Sequence, residues 1–248
     1  MQDRFVGDVG DFGKYGLLRW LCGDRGDGRQ LRLGVIWYYV ERDEPLPALG
    51  QAFNYLSTPG QHERRLIQRA PEGYEILQNL INGGQRSVEA IEDSKVLPDS
   101  AIYYRDPVNA PLARDGWLTQ GMRAVKDCDV AFLDPDNGLA VTPDVEHATY
   151  GEGAEIYGAG KSLVIYQHFS RQGTHEDQIT HHAANLRRVL GIHGPLGEII
   201  ALHFRRLPPR IYFVIPNPAK EKVSSLLRER TASFMESCWG DHFTQVDC

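Results

Sequence analysis

The sequence predicts an α/β protein: a mostly parallel sheet with helices on both faces, closed by an antiparallel hairpin and carrying a helical insertion. Three observations predict it. Apolar, β-branched runs alternate with helical patterns through the middle of the chain, which is the rhythm of a parallel sheet covered on both faces. One run, "VAFLD" at 130–134, is unbroken in its first four residues and reads as a buried strand. Near the end, "GEIIALHFRRL" and "RIYFVIP" are joined by little more than Pro208 and Pro209. A link that short allows only an antiparallel pairing.

The elements follow in order. "DFGKYGLLRWLCG" has Leu17, Leu18 and Leu21 at helical spacing and Gly23 as a stop. "RLGVIWYYV", bounded by the turn-like "GDRGDG", is the first core strand. Residues 43–60 are loop-like and Pro-rich. The helical patterns "QHERRLIQRA" and "EGYEILQNLINGGQRSVEAIED" follow, so 43–100 reads as an insertion within one domain spanning 1–248. "SAIYYR" is a short strand, "WLTQGMRAVKDC" a helix, "DVAFLD" a strand, "KSLVIYQHF" a strand and "THEDQITHHAANLRRVLG" a helix. There is no internal repeat and no low-complexity tract.

Composition narrows the class. A chain of 248 residues with 42% hydrophobic content buries a core without staples. The net charge of −6 excludes a globally basic nucleic-acid binder, so any such partner must meet a local patch. Cys22, Cys128, Cys238 and Cys248 are far apart and form no metal-type pair, which fits a reducing cytoplasm. The opening "MQDRFVGDVGDFGKYG" is polar and Gly-rich, unlike a signal peptide, and no apolar run reaches membrane-spanning length. The expectation is a cytoplasmic protein with no membrane partner; its oligomeric state is not legible.

Candidate site residues cluster at strand ends, where open α/β sheets bind ligands. Asp134 ends a buried strand, a costly place for a carboxylate unless it is paired or used. Asp136, Asn137 and Gly138 are turn residues, and Asn137 is better read as turn than as site. "GDVGDFGKYG" spaces Asp8, Asp11 and Lys14 three apart; a helix cap explains Asp11, but Gly7, Gly10, Gly13 and Gly16 suggest backbone lying close to a ligand. "VIYQHFSRQ" ends another strand with Gln167, His168 and Arg171, the last suited to a bidentate grip on phosphate or carboxylate. His175, His181 and His182 read as surface residues. Arg205, Arg206, Arg210 and the following Lys and Arg residues form either a solvated face or a local phosphate-binding strip.

In order, these motifs resemble the 23S rRNA adenine-N6 methyltransferases, which belong to the class I, Rossmann-like fold. That family opens Gly-Asn-x-x-Asp-x-x-Lys-His, and "GDVGDFGKY" places Gly7, Asp8, Asp11, Lys14 and Tyr15 on those positions. "YYRDPVNAPLA", containing Asp106, stands where the family has Tyr-Tyr-Pro-Gly-Ser-Pro. Asp134-Pro135-Asp136-Asn137 stands for the catalytic Asp-Pro-Pro-Tyr, "IYQHFSRQ" for a Tyr-rich strand ending Arg-Gln, and "VIPNPAKEK" for a last strand ending Asn-Pro-Pro. An antiparallel C-terminal pair is also a habit of that sheet. The resemblance implies an enzyme acting on nucleic acid. Asp134, Asp136, His168 and Lys14 would be catalytic, and Gly7, Asp8, Asp11, Tyr15 and Asp106 would hold S-adenosylmethionine. Asn137, Gln167, Arg171, Arg205 and Arg206 would contact substrate.

The chain departs from the family where the donor binds. "WYYVERDEP" replaces the Gly-rich turn after the first strand, and Asn137 replaces the aromatic that stacks a flipped base. Two alternatives therefore stand beside a methyltransferase of altered chemistry. One is a Mg²⁺-dependent nuclease or phosphohydrolase with Asp134 and Asp136 as metal ligands. The other is a non-catalytic binding module on the same fold.

Overall fold

The structure, a computed structural model, describes residues 1–41, 53–69, 71–108, 113–193, 198–206 and 208–248. The start of the expected insertion and the "NAPL" of "YYRDPVNAPLA" lie outside these residues.

Helix α1 (Val9–Cys22) is capped by the Asp8 side chain, which accepts from Asp11 N. Strand β1 (Leu33–Trp37) is buried throughout. Four helices follow: α2 (Asn54–Ser57), α3 (Gln61–Arg69), α4 (Pro71–Asn82) and α5 (Val88–Asp93). The second expected helical pattern is thus two helices. Gly83 and Gly84 break it, Gly84 with φ +70°, a conformation open to glycine. Strand β2 (Ile102–Tyr104), helix α6 (Arg114–Ala124), strand β3 (Val130–Asp134), strands β4 (Gly138–Ala140) and β5 (His147–Thr149), and helix α7 (Tyr150–Gly158) come next. The chain ends with β6 (Ser162–His168), α8 (His175–Leu190), β7 (Ile200–Phe204), β8 (Arg210–Ile215), α9 (Glu221–Glu236) and β9 (Phe243–Val246).

The main sheet has the order β2-β1-β3-β6-β8-β7-β9. β1 pairs in parallel with β2 and β3, and β3 with β6. β8 pairs antiparallel with both β6 and β7. Strands β2, β1, β3, β6 and β7 therefore run one way, and β8 and β9 the other. The expected hairpin forms, but not at the edge: β8 inserts beside β6, and β9 pairs with β7 to take the edge. β9 is four residues with two exposed polar side chains, which gives sequence patterning little to detect.

Alternate residues of the strands face opposite cores. Val35, Trp37, Phe132, Val164 and Tyr166 pack with residues of α1, α4, α5 and α9. Ile36, Ala131, Leu133, Leu163 and Ile165 pack with residues of α6, α7 and α8. Helices thus cover both faces, as expected. Helix α7 was not legible by apolar spacing because Gly151, Gly153 and Gly158 dilute it. Its capping box, Thr149 with Glu152, is the signal that marks it.

Gly7 and the glycines of α1 have a different reason from the one expected. A side chain at Gly13 would overlap Phe204, one at Gly16 would overlap Trp239, and one at Gly7 would overlap Ile81. The close approach is to this protein's own core. Gly10 alone of the four borders the cleft described next.

Candidate functional site

From β1 the sheet extends through β2 on one side, and from β3 through β6 on the other. The crevice beyond the carboxyl ends of β1 and β3 is therefore the topological switch point, where ligands sit in open α/β sheets. Asp134 ends β3 opposite Trp37. The first turns of α1 fold over this point and deliver Asp8, Asp11 and Lys14 to it.

Lys14 Nζ lies 2.8 Å from Asp11 Oδ1 and 3.0 Å from Asp134 Oδ2, with all three side chains shielded from solvent. The ammonium is boxed by aromatic rings, with the centroids of Tyr15, Tyr166 and Trp37 at 5.4, 5.6 and 5.9 Å. Burial disfavours its charge, but Asp11 and Asp134 outweigh burial and hold its pKa well above the ordinary lysine value. The Asp134 pKa is raised as well, which for a carboxylate disfavours the charge: burial is the cause, opposed chiefly by Lys14. The two shifts are consistent, because Lys14 has two anions to itself while Asp134 shares one ammonium with Asp11.

Around this floor opens a cleft of about 270 Å³, lined among others by Asp8, Asp134, Asp136, Tyr166, His168 and Arg210. Burial and the neighbouring Asp11 raise Asp8 to about 6, against the pull of Arg210 3.8 Å away. Burial, with Arg210 adding repulsion, lowers His168 to about 4, so it is a neutral imidazole at physiological pH. Burial also raises the pKa of the Tyr166 phenol. Its hydroxyl is 3.4 Å from His168 Nδ1.

The chain's first residues lie across the crevice. The Met1 amine donates to Tyr38 O at 2.5 Å and to Asp134 O at 3.2 Å, and pairs with Asp136 at 3.0 Å. The Met1 carbonyl accepts from Val40 N at 3.0 Å. Gln2 Nε2 donates to the Asp136 carboxylate.

The expected site residues divide accordingly. Lys14, Asp8, Asp11, Asp134, Asp136, Asn137 and His168 meet at the cleft. Asn137 also builds the turn: its amide donates to Glu146 Oε2 at 2.8 Å and its backbone N–H to Glu146 O at 2.9 Å. Tyr15 is buried beside Lys14, and its hydroxyl has no hydrogen-bond partner among the described residues. Gly7 donates its N–H to Asp11 Oδ2 and does not border the cleft.

The rest stand apart. The Asp106 backbone carbonyl accepts from Trp117 Nε1. Gln167 is turned inward, accepting from Leu139 N at 2.6 Å and donating to His168 O, which ties β4 to β6. Arg171 is exposed beyond the cleft. Arg205 donates to the carbonyls of Gly240 and Asp241. Arg206 pairs with Glu63 at 3.2 Å and donates to His242. These two arginines fasten loops together rather than forming an open strip at the cleft.

Sequence reasoning did not single out Gln2 or Tyr166 as site residues, and it named Arg210 only within the possible phosphate-binding strip. Tyr166 is two residues before His168 and so shares its strand face, a signal that period-two counting provides. Arg210 sits directly across from His168, and only the register reveals that.

Among the described residues no group of three or more His, Cys, Asp or Glu side chains is arranged to hold a metal. None of their helices is long and apolar enough to cross a membrane. No family sequence model matches the chain, and no curated protein matches it.

Proposed function

We propose that this protein is a methyltransferase-fold enzyme acting on nucleic acid, with its chemistry centred on Asp134 and altered at the donor position. One observation carries the reading: the buried Asp11–Lys14–Asp134 cluster forms the floor of a cleft at the switch point. Replacing a buried ion pair with apolar residues is often neutral or stabilising, so such a cluster is weakly motivated by stability. Perturbed ionisable groups facing a cleft mark functional sites. The closing antiparallel strands and the order of the motifs add support.

The roles follow from chemistry. Asp134 accepts a hydrogen bond or proton from an amine of the substrate, with Lys14 holding its charge in place. Asp8, with a pKa of about 6, exchanges a proton near neutral pH. Tyr166 offers a ring to a base, and Arg210 a guanidinium to a phosphate.

Neither expected cofactor fits the residues as they stand. Met1 pairs with the chain just beyond β1 through the Tyr38 carbonyl and the Val40 amide. A methyl donor needs a Gly-rich turn at that place and this chain has none, so no methyl-transfer step is derived. Between Asp11 and Asp134, the ammonium of Lys14 takes the place of a Mg²⁺ ion. The loss of that Gly-rich turn favours the second reading, a binding module without chemistry.

A thermal-shift series tests these readings, using S-adenosylmethionine, S-adenosylhomocysteine, Mg²⁺, Mn²⁺ and an RNA oligonucleotide in turn. A ligand at 100 times its Kd adds about 2.7 kcal/mol. Stabilisation by the donor or its product supports the enzyme. Stabilisation by RNA alone leaves the binding module, and by a metal alone the hydrolase. No shift with any of them sinks the proposal.

A further inference from the structure

Beyond the cleft, a second and larger hollow of about 1030 Å³ opens along the later turns of α1, and its walls include Tyr15, Arg19, Trp20, Arg25, Lys95 and Trp239. Its chemistry differs from that of the cleft. The Arg25 guanidinium lies 3.5 Å from the centroid of the Trp20 ring. Arg25 is exposed and makes no hydrogen bond or ion pair among the described residues. Burial and the nearby Arg230 work against its charge. A stacked guanidinium with its donor edge unspent is prepared for an anion, and its outer face is prepared for a planar ring.

The surroundings reinforce this. Trp20 is itself fixed, donating from Nε1 to Ser233 Oγ at 3.1 Å and resting edge-on against Phe234. Trp239 is stacked on Phe234 with centroids 5.7 Å apart, so both indoles are rigid. Arg19 donates to the carbonyls of Lys95 and Val96 at 3.1 and 3.4 Å. That clamps a backbone in which Lys95 has φ +59°, the one non-glycine among the described residues in the left-handed region. Such strain persists only where surrounding structure enforces it. The result holds the Lys95 ammonium at the rim, 78% exposed. Of the acids there, Asp24 accepts from Gly26 N at 2.8 Å and Asp99 faces Lys95 at 3.9 Å, while Arg25 is left over.

We propose that this groove binds a nucleotide, with its base stacked on the Arg25–Trp20 pair and its phosphate held by Arg25 and Lys95. The ligand chemistry is a planar heteroaromatic ring bearing an anion. Its source is either a free mononucleotide or one nucleotide of a single strand, for which stacking on aromatic or guanidinium planes within a basic groove is the usual mode. The inference does not depend on the reading of the Asp134 cleft.

The indole N–H resonances of Trp20, Trp37 and Trp239 test it, once assigned by single Trp→Phe variants. Trp37 lies by Lys14 and reports on the cleft; Trp20 and Trp239 report on the groove. Titrated with adenosine monophosphate, the Trp20 resonance shifts saturably, whether or not the cleft reporter Trp37 also moves. Read at Trp20, Arg25→Glu weakens binding at least tenfold. A ten-nucleotide single strand that binds tenfold tighter than the mononucleotide identifies the strand as the source, and equal binding identifies the free nucleotide. Three results overturn the proposal: a shift of Trp37 without Trp20, no loss with Arg25→Glu, or equal shifts from inorganic phosphate alone.

Discussion

The ammonium of Lys14 and the carboxylate of Asp134, 120 residues apart in the chain, meet at 3.0 Å at the carboxyl ends of β1 and β3. The contact pins the first helix onto the sheet's switch point, so the geometry of the cleft and the stability of α1 are linked through one ion pair. Removing one partner of a buried pair leaves an uncompensated charge, which costs about 3–5 kcal/mol. Lys14→Met should therefore lose roughly that much in urea unfolding at neutral pH. Adding Asp134→Leu should recover part of the loss. If the double variant is no more stable than Lys14→Met, the pair does not couple the two elements.

The raised pKa of Asp8 makes a pH prediction with a definite sign. Its folded value is about 6 against an ordinary 3.8, so the folded state holds the proton through a range where the unfolded chain has released it. Stability from this group is present at low pH and is lost as pH rises from about 4 to about 6. Asn caps a helix as well as Asp, so Asp8→Asn removes the titration and keeps the cap. Relative to wild type, Asp8→Asn should gain up to about 3 kcal/mol between pH 4 and pH 6. A difference that stays flat across that window would show that Asp8 titrates normally.

His168 works in the opposite direction. Its depressed folded pKa, about 4, means that its contribution is intact above the ordinary value of 6.5 and fades as pH falls toward 4. The side-chain nitrogen shifts of His168 should therefore stay those of a neutral ring from pH 8 to pH 5. Free histidine in the same buffer provides the reference. A His168 midpoint near 6.5 would mean that the imidazole is open to water and not part of the cleft wall.

Much of the fold was legible because it follows from local patterns. The strand of Val130 to Leu133 is apolar enough to be buried in any arrangement, and the Pro208-Pro209 link forces β7 and β8 antiparallel. The strand end at Asp134 was readable for the same reason. Other parts depend on contacts between distant residues. That β8 lies beside β6, bringing Arg210 opposite His168, is a choice among sheet orders that composition does not encode. The spaced glycines of α1 signalled close approach correctly, but the approaching groups are Phe204 and Trp239, nearly two hundred residues away or more. The inward turn of Gln167 depends likewise on the amide of Leu139 waiting beneath it.

The packing explanation for Gly16 can be measured directly. A methyl group there would meet the Trp239 ring, so Gly16→Ala should destabilise by about 1–3 kcal/mol through overpacking, despite alanine's better helix propensity. Gly116 in α6 has open space at the same point, so Gly116→Ala should be stabilising by about 0.5–1 kcal/mol. Equal effects at the two sites would refute the packing account.

The remaining prediction concerns Asp134 and Asp136, two residues apart with different partners. Asp134→Asn keeps the shape and removes the charge; Lys14 retains Asp11 at 2.8 Å, so the fold should survive with a loss of about 1–3 kcal/mol. Asp136 is held by the Met1 amine and by Gln2, away from Lys14. If Asp134 receives the reacting amine, Asp134→Asn abolishes activity while Asp136→Asn retains most of it. A metal-dependent hydrolase would lose activity in both, because it would forfeit one of few carboxylate ligands either way. The assays are methyl transfer to RNA from a labelled donor and cleavage of RNA with Mg²⁺ or Mn²⁺, run side by side on folded protein. Full activity of Asp134→Asn in whichever assay the wild type passes would reduce the carboxylate to an anchor for Lys14, and the chemistry would have to be sought among Asp8, Tyr166 and His168.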